Sequence, residues 1–151
     1  KYKYSTSRQP AKKKSSRNKR DMLVEKADMN QARRLVKRGE HPKAIALIKR
    51  YISENPDDAR SHFELISLFE RTERTDDAII WLQKVIHTFG DNDQVWGDAM
   101  IRLVGLREHN EKDLDAAVNL LEQIAERLKQ NKLGQLARER LKDIRSRAYQ
   151  A

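Results

Sequence analysis

The sequence predicts an all-α protein, an α-α superhelix of about three helix-turn-helix units closed by a C-terminal capping helix. Three observations carry that expectation. From Asp21 onward apolar residues recur at spacings of three and four, which gathers them on one face of a helix. Composition leaves little for strands: of 151 residues 36% are charged, 38% hydrophobic and 6% aromatic, with 5 Gly and 3 Pro. The apolar pattern also returns after 34 residues, the mark of a repeat architecture.

The chain is expected to divide into a basic tail or juxtamembrane linker, residues 1–20, and a helical repeat domain, residues 21–151. The net charge of +9 belongs to the first part. Residues 1–20 hold nine Lys and Arg and no acid, so the other 23 cations balance the 23 Asp and Glu. With almost no apolar residues, this arm cannot bury enough surface to offset the entropy of ordering it. Two readings stand: a solvated linker, or attachment to an anionic surface through Lys12, Lys13, Lys14, Arg17, Lys19 and Arg20. A chain that begins at Lys1 rather than Met is expected to continue upstream. A membrane helix there would place the arm at the inner face of the membrane, with the repeat domain in the cytoplasm.

In the first helix Ala32, Leu35 and Val36 share a face; in the second Ala44, Leu47, Ile48, Tyr51 and Ile52 do. Gly39 can end the first, Pro42 suits the first turn of the next, and Pro56 disfavours helix at Asn55. A helical hairpin therefore spans about residues 21–54. Moving on by 34 residues pairs Leu35 with Phe69, Ala44 with Ala78, Ile45 with Ile79, Ile48 with Leu82, Tyr51 with Val85 and Pro56 with Gly90. A third unit begins near Asp93, but its Ala117 lies 39 residues after Ala78, so RLVGLREHNEKDLD has gained about five residues. Leu133, Leu136, Ala137, Leu141, Ile144 and Ala148 form the stripe of the capping helix.

A 34-residue helix-turn-helix period resembles the tetratricopeptide repeat over about residues 25–145. The first unit, Glu25 to Asp58, has the family's small residue, alanine, large apolar residue and proline at Ala32, Ala44, Ile48 and Pro56. The second, Ala59 to Asn92, has Ile66, Ala78, Leu82 and Gly90, and the bulk of Ile66 departs from the pattern. The third carries Trp96 and Met100 at matching places. The resemblance implies a protein-protein interaction scaffold holding a protein or peptide on its concave face. By family position that face comprises Met29, Arg33, Val36, Phe63, Ser67, Arg71, Gln94, Asp98, Ile101 and Val104. Phe63 and Ile101 have a second reading, burial beneath the capping helix or a dimer partner. Family members that hold the acidic tails of heat-shock chaperones use a set of Lys, Arg and Asn side chains, where this chain has Met29, Arg33, Glu64, Gln94 and Asp98. That activity is therefore not implied.

No enzyme class finds support, and no cofactor or metal is expected. There is no cysteine, hence no disulfide or thiolate chemistry. His41, His62, His87 and His109 have no helical metal-site spacing and are expected at the surface or half buried; the five glycines stand apart, so no phosphate loop exists. Trp81 and Trp96 are expected to pack, Trp81 at a seam between units. The alternative function is an RNA- or DNA-associated factor whose basic arm contacts phosphates. Self-association through the open repeat ends is left open by the sequence.

Overall fold

The computed structural model describes residues 29–108 and 113–148. The basic arm, with Lys12, Lys13, Lys14, Arg17, Lys19 and Arg20, lies outside the described residues, as do His109 and the side chain of Ala148. Residues 29–37 form α1, followed by α2 (His41–Glu54), α3 (Ala59–Arg71), α4 (Thr75–Thr88), α5 (Asp93–Glu108), α6 (Leu114–Arg127) and α7 (Lys132–Ala148). The described residues contain no strand. From α2 to α7 each helix packs on the next in chain order, as stacked helical hairpins require.

The turns repeat as closely as the helices. At the end of α1, Gly39 has φ 75°, Glu40 N–H donates to Leu35 O (2.9 Å) and Gly39 N–H to Val36 O (3.1 Å). Such a turn satisfies the last carbonyls of a helix while a left-handed residue reverses the chain. At the end of α3 the same geometry recurs at Glu73, φ 57°, with Arg74 N–H on Phe69 O (2.9 Å) and Glu73 N–H on Glu70 O (3.2 Å). The first helix of each later unit is also capped alike. Asp58 accepts from Arg60 N–H (3.2 Å), Asn92 from Val95 N–H (3.1 Å) and Asn131 from Gly134 N–H (3.1 Å). Each cap contributes about 1 kcal/mol. The cap at Asn131 gives α7 the N-terminal turn of a first helix, and α7 packs on α6.

Packing follows the 34-residue register. Ala44 and Ala78 are fully buried, as are Leu82 and Val85, with Ile48 at 2% exposure. One core runs from Met29 to Leu103; a second joins Trp96, Met100 and Val104 of α5 to Ala117, Leu121, Ile124, Ala137 and Leu141. Helix α5 belongs to both because it lies between α4 and α6. Ile66 is fully buried despite its size. The five inserted residues are accounted for: α5 has 16 residues against 13 in α3, and five residues rather than three connect it to the next helix. In α7 Leu136 is 40% exposed, which corrects its place in the capping stripe. Its neighbour Ala137 is fully buried, and Leu136 stands on the water side of it. Gly134 is required by space, since a Cβ there would sit 1.9 Å from Leu128 O.

His62 departs from expectation in being fully buried, at 1% exposure. Its Nδ1 accepts from Trp81 Nε1–H (3.2 Å) and its Nε2 lies 3.0 Å from the Pro56 carbonyl oxygen. Indole only donates and a carbonyl only accepts, so the proton resides on Nε2 and the ring is neutral. Burial lowers the His62 pKa below its ordinary 6.5; the Pro56 hydrogen bond opposes this, Lys84 adds to it, and Asp58 opposes it. Trp81, also against the Phe69 ring and beneath Lys49 of α2, does lie at the seam between units. Trp96 packs in the second core, as expected.

The turns and His62 can each be tested through stability. Glu73→Gly should raise the unfolding free energy by about 1 kcal/mol and Gly39→Glu should lower it by a similar amount, read from urea midpoints, because a side chain resists the left-handed region. His62, with its depressed folded pKa, stays neutral while the unfolded residue takes a proton. Stability is therefore full above the ordinary imidazole range and declines as pH falls through it. The urea midpoint should drop between about pH 7.5 and pH 5, and drop less in His62→Gln.

Candidate partner-binding groove

The first helices of three successive units line one groove with a volume of about 760 Å³. Helix α1 supplies Arg33, Val36 and Lys37; α3 supplies Arg60, Phe63, Glu64, Ser67, Leu68 and Arg71; α5 supplies Asp98, Ile101 and Arg102. Ile48 of α2 reaches its floor. Within each helix these positions are three or four apart, hence one above another on a face. Between helices the 34-residue register sets Arg33, Ser67 and Ile101 in equivalent places, likewise Lys37 with Arg71 and Glu64 with Asp98.

Seven of the ten residues expected by family position therefore meet here: Arg33, Val36, Phe63, Ser67, Arg71, Asp98 and Ile101. Three do not line the groove. Met29 is 5% exposed in the first core and Val104 is fully buried in the second, because α5 is covered on two sides; Gln94 is exposed elsewhere. Phe63 and Ile101 are half buried and border open space. The sequence reading missed Lys37, Ile48, Arg60, Glu64, Leu68 and Arg102 as lining residues. Their signal was the spacing itself, since Lys37 stands four residues from Arg33, and Glu64 three from Ser67.

The charges are organised around α3. Arg33 donates to Glu64 through Nε (3.1 Å) and Nη2 (2.7 Å), and Arg60 Nε lies 3.3 Å from the same carboxylate. These hydrogen bonds raise the Arg33 pKa above its ordinary value, against the smaller effect of burial. From the other side Arg102 donates to Ser67 Oγ (3.0 Å), approaches Glu70 at 3.7 Å and sits 5.5 Å from the Phe63 ring centroid. Arg33 and Arg102 thus tie α1 and α5 to α3 across the groove wall. Lys37 and Arg71 have no ion-pair partner among the described residues.

The geometry defines a helical repeat protein with a groove built from the first helix of each unit. Residues 29–93 match the family model of the tetratricopeptide repeat, so that stretch of the chain is similar to tetratricopeptide repeats. The match covers the first two units; the third unit and α7 continue the stack beyond it. Tetratricopeptide repeats generally mediate protein-protein interaction, and the family is typically a non-enzymatic scaffold. No curated protein matches the chain in sequence. Among the described residues no helix is long and apolar enough to cross a membrane, and no three His, Asp or Glu side chains gather where a metal ion could be held.

The Arg33–Glu64 pair is solvent-accessible, with side-chain exposures of 44% and 25%, so its worth to folding is small. Glu64→Gln should lower stability by at most about 1 kcal/mol in dilute buffer, and the difference should shrink with added salt, measured by urea unfolding.

Proposed function

We propose that this protein is an interaction scaffold that holds a segment of a partner protein in the groove between α1, α3 and α5. The observation that carries this reading is the half-buried apolar floor: Val36, Phe63 and Ile101, one from each first helix, border about 760 Å³ of open space. Apolar side chains with charged neighbours at the rim suit an amphipathic segment, which supplies its own apolar stripe to the floor and keeps its polar face in water. The basic arm, nine cations without an acid in residues 1–20, would add attachment to an anionic membrane surface by charge.

The test separates groove from arm. Proteins retained from cell extract by the full chain should still be retained after removal of residues 1–20, and should be lost from the full chain carrying Phe63→Asp and Ile101→Asp, with circular dichroism unchanged. Retention that ignores the groove changes but disappears with the arm would overturn the scaffold reading.

A further inference from the structure

The distribution of charge within the groove says more about its occupant. Thirteen residues line it, of which five are cationic and two acidic. Three of the cations are already engaged. Glu64 is shared between Arg33 and Arg60, while Arg102 is held by Ser67, by Glu70 and over the Phe63 ring. Lys37 and Arg71 are the two that line the groove without an ion-pair partner among the described residues. They are equivalent by the 34-residue register: each stands in the last turn of its first helix, which puts both at the same end of the groove. The C-terminus of a helix carries about half a negative charge, which accommodates the two cations but offsets only about half of theirs.

We infer that the groove takes an apolar segment bearing Asp or Glu, with the acidic side chains meeting Lys37 and Arg71. The inference rests on the groove reading and adds the chemistry of the partner. Charge complementarity selects it: a carboxylate at that end gains a paired cation without displacing an existing bond, whereas a Lys or Arg there meets two like charges. The chain's own arm, with nine cations and no acid, is repelled for that reason. Arginine also offers a planar fork to a carboxylate, so Arg71 favours Asp or Glu over a neutral amide.

A random library of peptides of about 12 residues displayed on phage, long enough for three helical turns, tests this against the full chain. Prior depletion on the chain carrying Phe63→Asp and Ile101→Asp removes peptides that bind only the basic arm, which that variant retains. Recovered peptides are then synthesised and their affinities measured by fluorescence anisotropy. Enrichment in apolar residues with Asp or Glu is expected, with affinity reduced about tenfold or more by Lys37→Glu together with Arg71→Glu and unchanged by Lys132→Glu on exposed α7. Groove-dependent peptides that lack acids, that are basic like the arm, or that ignore the Lys37 and Arg71 changes would overturn the inference and leave the groove reading standing. Recovery of no groove-dependent peptide would overturn both. Sedimentation of the full chain covers the remaining occupant: a dimer that dissociates on changing Ile101→Asp would assign the groove to a second copy instead.

Discussion

A left-handed residue just past α1 and just past α3 is the constraint on which these two units depend. At Gly39 and Glu73 it reverses the chain within three residues and returns the second helix against the first. The reversal fixes the length of the unit, and the length fixes everything in register: the caps at Asp58 and Asn92, the buried alanines at 44 and 78, and the groove positions that repeat from α1 to α3 to α5. Gly39 meets this demand without strain, whereas Glu73 meets it at a cost the packing around it must cover. Phe69, whose carbonyl accepts the closing hydrogen bond, is 1% exposed, so the turn is held by a side chain anchored in the core.

The third unit is longer than the second, and the stack changes with it. Helix α5 runs three residues longer than α3, and its added turn finds partners. Glu108 pairs with Arg140 of α7, and Arg107 with Asp113 at 2.9 Å. The longer helix thereby reaches α7 as well as α6. At its other end Arg127 of α6 pairs with Asp93 at 2.8 Å and stacks over Trp96 at 4.3 Å. Helix α7, with Arg138, Glu139, Lys142 and Arg145 exposed, presents polar side chains to water.

Much of this was legible in the sequence because helical repeats write their register as period. The spacing of Ala44, Ala78 and Ala117, the Gly39 and Pro42 signals and the five-residue insertion all survive without knowledge of any contact. The rest depends on partners far apart in the chain. Glu73 gives no sign of a left-handed turn, since nothing in glutamate favours one; the shift from Gly39 was the available clue. His62 is a polar residue in an apolar position, and what makes that tolerable is Trp81, 19 residues away on another helix. Met29 and Val104 were misplaced because a family position names a helix face, while the core claims whichever side chains the neighbouring helices cover.

Groove and core answer to different forces, which allows one to be specified without weakening the other. The two cores bury their apolar side chains almost completely, and burial at roughly 25 cal/mol per Å² carries the fold. The ion pairs along α3 are accessible to water and contribute little to stability. Their effect is to decide which charges remain available. With Arg33, Arg60 and Arg102 engaged by Glu64 and Glu70, the groove-lining cations that have no ion-pair partner among the described residues are Lys37 and Arg71. Both stand at one end of the groove, which gives it a polarity along the helices. An apolar floor alone would bind amphipathic segments in either direction, because burial is non-directional. A charged end added to it distinguishes one direction from the other, and it does so with side chains whose replacement should leave the fold intact.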